Sequence, residues 1–291
     1  MTQLSHLVYE PLLKAALEED LGRAGDLTSL AVIPEGTTTT LALNTRQDGC
    51  IAGLDISLRA FTLFDPTLEI ETFVHDGDFV KKGTVLATIS GEARSILSAE
   101  RTCLNLLSHL SAIATKTYEM AELIKDLPTK LVDTRKTLPN LRALQKYAVK
   151  MGGGYNHRFA LDDVIMIKDN HIAVAGDLVE AVKRARAYVG HTVKIEAEVD
   201  TLDQLGQLLT TDADIVLLDN MDPETLKTAV AMVNGQMICE ASGNISSDTI
   251  RAVALSGVDI ISAGCLTHTV KNLDIGLDEI KTTDTKNVVR L

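Results

Sequence analysis

No apolar run in the 291-residue sequence is long enough to span a bilayer. The opening residues, MTQLSHLVYEPLL, lack a basic stretch ahead of an apolar core, so they do not read as a secretory signal. None of the four cysteines (Cys50, Cys103, Cys239, Cys265) forms a C-x-x-C pair. Such scatter favours reduced, mostly buried thiols in a cytoplasmic protein, and no His/Cys spacing supports zinc. Positive charge is scarce: 28 Lys and Arg against 40 Asp and Glu leave a formal charge of -12. That balance argues against nucleic acid and anionic membrane as partners.

What remains is an ordinary soluble composition, 45% hydrophobic and 23% charged, in a chain long enough for one large domain or two ordinary ones. One stretch runs against the acidic background. Asp133 to His171 holds seven basic residues (Arg135, Lys136, Arg142, Lys146, Lys150, Arg158, Lys168) and four acids (Asp133, Asp162, Asp163, Asp169). A cationic pocket in an acidic protein suits a small anionic ligand, because nucleic acid needs a wider basic face.

Apolar residues at helical spacing, Leu12, Leu13, Ala16, Leu17 and Leu21, predict a helix within residues 1–25, with GDLTS at 25–29 as a turn. A strand is expected over 37–45, a helix near 53–64 and a strand near 68–73. Residues 75–97 read as short strands around glycine turns. They resemble the hairpin of biotinyl and lipoyl carrier domains, but no lysine hairpin follows, and turn chemistry alone accounts for Gly77, Asp78 and Gly83. A long helix is expected over 98–125.

Beyond residue 130 the period changes. Apolar strands near 131–133, 164–168, 193–199, 215–219, 237–241 and 259–263 alternate with amphipathic helices near 141–151, 177–188, 202–209, 223–233 and 247–255. Repeated β-α units with buried strands imply a parallel sheet with right-handed crossovers. Each strand ends in groups able to do chemistry: Asp133 to Lys136, Lys168 to His171, Glu196 and Glu198, Asp219 and Asn220, Glu240 with Ser242 to Asn244, and Ser262 with Gly264. Polar residues on every strand end fit an α/β barrel, whose active site lies at the carboxyl ends. In an open doubly wound sheet they would crowd at one crevice.

Arg135, Arg158, Lys136 and Lys168 form the cationic set. Arginine grips a carboxylate or phosphate through two parallel hydrogen bonds, and lysine acts as a mobile charge. The plainer reading of each alone is a solvated rim charge. Gly152 to Gly154 exceed what a helix cap needs and suit close backbone approach to a ligand. His157 reads equally as a hydrogen-bonded structural residue or a ligand contact. Glu198 and Asp219 could hold Mg²⁺ or ribose hydroxyls. Ser242-Gly243-Asn244 ahead of a helix, with Gly264 on the next strand, suits a phosphate.

Together these segments resemble the quinolinate phosphoribosyltransferase family: E-R-T-x-L-N at Glu100–Asn105, D-T-R-K-T-x-P at Asp133–Pro139, K-Y-A-V at Lys146–Val149, G-G-G-x-N-H-R at Gly152–Arg158, I-K-D-N-H at Ile167–His171, L-D-N-M at Leu218–Met221 and G-x-L-T-H at Gly264–His268. The resemblance implies an N-terminal α/β sandwich (1–115, joined by part of the tail, about 270–291) and an incomplete, about six-stranded parallel α/β barrel (116–269). It implies phosphoribosyl transfer from phosphoribosyl pyrophosphate to quinolinate, with decarboxylation to nicotinate mononucleotide in NAD biosynthesis. Arg135, Lys136, Arg158 and Lys168 would bind the two substrates, with Thr134 and His157 lining the pocket. Lys136, Lys168, Glu198 and Asp219 would be catalytic, the last two meeting ribose and Mg²⁺. Ser242, Gly243, Asn244 and Gly264 would hold the 5′-phosphate; many relatives carry glycine where this chain has Asn244. Arg101 would reach the site of a partner subunit, making a homodimer. The alternatives are a barrel that binds a sugar phosphate without reacting it, and a molybdenum-transport-associated group that shares D-T-R-K-T and G-G-G but departs at N-H-R and I-K-D-N-H.

Overall fold

The structure is a computed structural model that describes residues 4–280. Along the chain it forms α1 (His6–Leu21), α2 (Leu27–Val32), β1 (Thr38–Thr45), β2 (Gly49–Cys50), α3 (Leu54–Phe64), β3 (Glu69–Thr72), β4 (Phe79–Val80), β5 (Val85–Glu92) and α4 (Ala93–Glu122). There follow β6 (Lys130–Val132), α5 (Arg142–Met151), β7 (Ile165–Ile167), α6 (Asp169–Ala175), α7 (Leu178–Tyr188), β8 (Ile195–Val199), α8 (Leu202–Leu208) and β9 (Ile215–Asp219). The last are α9 (Pro223–Val233), β10 (Ile238–Ser242), α10 (Ile250–Ala254), β11 (Ile260–Ser262), α11 (Cys265–His268) and β12 (Ile275–Glu279). The start of the expected first helix (1–3) and the end of the expected tail (281–291) lie outside the described residues.

Two compact units result. The first takes residues up to 116, then 143–153, then those from 270; the second takes 117–142 and 154–269. Residues 143–153, which sequence reading assigned to the barrel, thus group with the first unit. That unit holds a four-stranded antiparallel sheet in the order β12-β1-β5-β3 and the small β2-β4 pair. Its apolar centre includes Leu13, Leu43, Phe61, Leu86, Ile89 and Ile96.

Two helix starts in this unit correct the sequence reading. The expected turn at 25–29 instead opens α2. The Asp26 carboxylate accepts the N–H groups of Thr28 and Ser29, both at 3.0 Å, as an N-cap does. The long helix α4 starts at Ala93 rather than 98, where Glu92 accepts the Ser95 N–H at 2.6 Å. An acceptor just ahead of the first turn satisfies donors that would otherwise be orphaned, so the helix extends back to meet it.

The second unit is a six-stranded parallel sheet in the order β6-β11-β10-β9-β8-β7. Spatial order follows chain order except that β6 lies beside β11, which is how a barrel lays out its strands. β6 and β7 do not pair, so the barrel is incomplete. The strands are three to five residues long, and β8 is buried at every position. Ile195, Ala197 and Val199 alternate there with Glu196 and Glu198, so one face of β8 is apolar and the other carries carboxylates. Two short helices occupy segments to which the sequence assigned no helix. One is α6, where the Lys168 N–H donates to His171 Nδ1 at 2.9 Å; the other is α11. Among the described residues no helix is long and apolar enough to cross a membrane.

Candidate active site

A cavity of about 720 Å³ opens within the second unit. That size suits small ligands. Every expected site residue lines it except Arg101. Thr134, Arg135 and Lys136 follow β6, His157 and Arg158 sit in the loop between α5 and β7, and Lys168 follows β7. Glu198 lies on β8, Asp219 ends β9, Ser242 ends β10 before Gly243 and Asn244, and Gly264 follows β11. The carboxyl ends of the strands therefore converge chemically as a barrel's do. Arg101 lies on α4 in the first unit, its side chain 61% exposed and 3.9 Å from Glu100.

One wall is cationic. Arg158 donates from Nη1 to the Val164 carbonyl at 3.0 Å and from Nη2 toward Met166 Sδ at 3.6 Å. Burial pulls its pKa below the ordinary value, and the neighbouring Arg135 charge pulls the same way. The buried Nε of Arg135 has no hydrogen-bond partner among the described residues. Two guanidiniums that repel each other, one with an unmet donor, form a site that gains free energy when an anion enters. The Lys136 backbone is held at both ends: its N–H donates to Thr134 Oγ1 at 3.0 Å, and its carbonyl accepts the Thr267 hydroxyl at 2.7 Å. Its side chain passes Gly264, where a Cβ would lie 2.9 Å from both Lys136 Cδ and His268 Nε2. Only glycine leaves room for that close approach.

The same cavity is lined by carboxylates and a turn. Lys168 pairs with Glu198. Burial, then the Glu198 charge, raises the Asp219 pKa, with Lys168 and Lys136 opposing. Beside it the Asn220 N–H donates to the Ser242 carbonyl at 2.9 Å, and Asn244 Nδ2 donates to Asn220 Oδ1 at 3.0 Å. Gly243 adopts φ +90°, and a Cβ there would sit 2.1 Å from Asn220 Oδ1. Asn244 takes a left-handed φ of 52°, a conformation asparagine tolerates, so it fills a place where glycine would be easier.

The floor is acidic. His157 Nε2 lies 3.3 Å from Glu196 Oε2 and 3.3 Å from Glu240 Oε2, with the glutamate side chains 0% and 2% exposed. These are close approaches rather than well-aligned hydrogen bonds for Glu196, since both its oxygens, like Glu240 Oε1, lack a partner of good geometry. Burial is the largest single influence on His157 and acts to lower its pKa, but the two glutamates outweigh it and push the value up to about 10. Burial likewise raises Glu196. The cluster therefore retains a proton at neutral pH. Both carboxylates face Nε2, which therefore carries a hydrogen, while Nδ1 lies 2.6 Å from the Arg158 backbone nitrogen. Asp133, fully buried, accepts from Asn156 Nδ2 at 2.6 Å and from the His157 N–H at 2.9 Å.

Sequence reading placed Glu196, Glu240, Asn220 and Ser262 at strand ends without giving them a role, and His268 entered only within a motif. Met166, Leu217 and Ile245 were not marked, yet all line the cavity. The one available signal was the alternation in I-E-A-E-V, which puts Glu196 on the same face as Glu198.

An incomplete parallel barrel whose cavity gathers arginines, lysines, carboxylates and a glycine turn at its strand ends defines an enzyme of the phosphate-handling barrel class, fitted to anionic small molecules. The chain matches the description of the quinolinate phosphoribosyl transferase N-terminal domain over residues 26–111 and of its C-terminal domain over residues 113–278; it belongs to the quinolinate phosphoribosyltransferase family. It is 43% identical over 275 residues, 94% of each chain, to a probable nicotinate-nucleotide pyrophosphorylase (carboxylating) of Bacillus subtilis. To the corresponding Mycobacterium leprae protein it is 40% identical over 274 residues, 91% of this chain and 95% of that one. The crystal structure of NadC from Streptococcus pyogenes superposes with a TM-score of 0.92 at 40% identity, covering 96% of this chain and 98% of that chain.

Proposed function

We propose that this enzyme transfers the phosphoribosyl group of phosphoribosyl pyrophosphate to the ring nitrogen of quinolinate and removes the adjacent carboxylate as CO₂, giving nicotinate mononucleotide for NAD biosynthesis. The observation that carries this reading is the pair Arg135 and Arg158 facing one cavity, with an unmet buried donor on Arg135. A doubly acidic aromatic supplies what that wall lacks.

The steps balance without a further organic cofactor. The pyridine nitrogen pair forms the bond to ribose C1 as the C1–O bond breaks and pyrophosphate leaves, through an oxocarbenium-like state. Lys136 and Lys168 meet the charge gathering on the leaving group, and holding both substrates in one cavity supplies much of the remaining acceleration. The ring nitrogen is then positive. The C2–carboxylate bond breaks, CO₂ departs, and the electron pair left on C2 is stabilised by the adjacent cation until a proton replaces it. Ser242, Gly243, Asn244 and Gly264 bound the space for the 5′-phosphate.

The residues fit a divalent cation brought in with the pyrophosphate. Glu198 and Asp219 share the cavity, and the Asp219 pKa is raised by burial first and by the Glu198 charge second. Mg²⁺ held by these two would supply Lewis-acid stabilisation of the pyrophosphate charge. Arg101 belongs to the proposal as the residue a second copy would lend to the site of a homodimer, supported by its exposed side chain. The acidic chain and its free, mostly buried cysteines support a cytoplasmic enzyme.

The test is pyrophosphate release from phosphoribosyl pyrophosphate. It should require quinolinate and yield one CO₂ per pyrophosphate. Binding of phosphoribosyl pyrophosphate with no quinolinate-dependent release would instead make the barrel a non-catalytic binder.

A further inference from the structure

Beneath the arginine wall, carboxylates from β8 and β10 flank one imidazole nitrogen. His157 Nε2 is 3.3 Å from Glu196 and 3.3 Å from Glu240, and these three residues form the one described cluster with three metal-capable side chains in reach of each other. The other ring nitrogen decides what the cluster is. Nδ1 accepts the Arg158 N–H at 2.6 Å, so it carries a lone pair and the ring hydrogen sits on Nε2. A nitrogen bearing hydrogen does not ligate a metal, and a ligating histidine donates from its other nitrogen, which here faces a donor. The cluster is therefore an anchor for an N–H.

What it anchors is a short rigid chain. Asp133 holds the side chain of Asn156 and the N–H of His157, the His157 ring holds the N–H of Arg158, and Arg158 Nη1 is tied to the Val164 carbonyl. Three consecutive residues are each fixed, and the last carries a guanidinium of the cavity wall. Both glutamates stand on strands, the least mobile supports available, and each is nine-tenths buried or more. Buried carboxylates cost several kcal/mol unless something compensates, so two of them under one histidine call for a purpose.

We propose that Glu196 and Glu240 are positioning residues that lock the His157 ring and, through it, aim Arg158 at a carboxylate of the doubly acidic substrate. This rests on the function proposed above. Glu196 lies outside the cavity lining and Glu240 reaches it, but both act through the His157 ring, which serves as a strut more than as a contact.

The test is steady-state kinetics of Glu240→Gln and Glu196→Gln, with Arg158→Ala and the Glu240→Gln/Arg158→Ala double variant. Loss of an orienting residue typically costs about 10–100-fold. The expected result is a rise of that size in the quinolinate KM for E240Q, with the phosphoribosyl pyrophosphate KM within about twofold. In the double variant the E240Q effect should vanish, because the residue it acts through is gone. An unchanged quinolinate KM, or an effect that simply multiplies that of R158A, would overturn the inference. A second measurement needs no variant. Nitrogen NMR of the histidine-labelled wild-type enzyme should show a hydrogen on His157 Nε2; an Nε2 without hydrogen, or a metal retained on Nε2 after dialysis, would overturn it. A wild-type enzyme that turns over quinolinate while ignoring Glu240 refutes this inference alone; one that does not turn over quinolinate refutes the proposed function as well.

Discussion

Half-buried Asp76 in the first unit and the Glu196–Glu240 pair in the second are both carboxylates taken largely out of water, and they are treated in opposite ways. Asp76 accepts the N–H groups of Gly53 and Leu54, each at 2.9 Å, and the Tyr147 hydroxyl at 2.6 Å. It caps the start of α3, and its lone pairs are spent on that task. Burial raises its pKa while those three bonds work to lower it. The barrel glutamates instead leave three oxygens without a well-formed hydrogen bond and share a single histidine. A carboxylate that serves stability is fully satisfied; one left under-satisfied beneath a cationic cavity is held for function.

Substitution tests the difference between the two regions. The largest effect belongs to the wall above the glutamates. Arg158→Ala should lower kcat/KM for quinolinate by about thirtyfold or more, since losing a charge-assisted pair costs about 2–5 kcal/mol. The melting temperature should stay nearly constant, and a large drop there would make Arg158 a structural residue. The glutamate variants come next, with their tenfold to hundredfold change confined to one substrate. Asp76→Ala should do the reverse: a loss of about 1–2 kcal/mol in unfolding free energy from the missing cap, with both KM values unmoved. A kinetic defect in that variant without a stability loss would erase the distinction between the two regions.

The smallest effect concerns a third kind of carboxylate, Asp214, satisfied by charge. Burial works to raise its pKa, but Lys194 at 2.6 Å, Arg186 at 2.7 Å and the Ile195 N–H at 2.9 Å lower it from 3.8 to about 2. The folded value lies below the unfolded one, so the unfolded chain binds more protons between them. Stability from Asp214 is therefore present above about pH 4 and fades as pH falls toward about 2. Asp214→Asn should be less stable than the parent at neutral pH, and the gap should close on acidification. A gap that widens in acid would reverse the sign of this linkage.

How much of this could be read from the chain follows from how local each feature is. The barrel strands announce themselves by short apolar runs between helical periods, and the cationic wall is dense within one 39-residue stretch, Asp133 to His171. Gly243 was legible in a small-residue segment and Gly264 at a strand end, though the reasons they must be glycine, Asn220 for one and Lys136 for the other, come from distant strands. The acidic floor is the least local feature. Glu198 and Glu240 both stand level with Leu217 across β9, and Glu196 lies two residues below on β8. Nothing in the spacing of 196 and 240 fixes that register; strand order does. The early start of α4 and the helix α2 were missed for a simpler reason: Glu92 and Asp26 act as caps where the hydrophobic period is silent.

The account rests on two guanidiniums acting together on two carboxylates, and equilibrium binding of quinolinate beside nicotinate, its analogue with one carboxylate, tests this most directly. The wild-type enzyme should bind quinolinate at least about tenfold more tightly than nicotinate, a gap of about 1.4 kcal/mol or more, and Arg135→Ala should abolish the preference. Equal affinity for the two acids, or a preference that survives in Arg135→Ala, would contradict it.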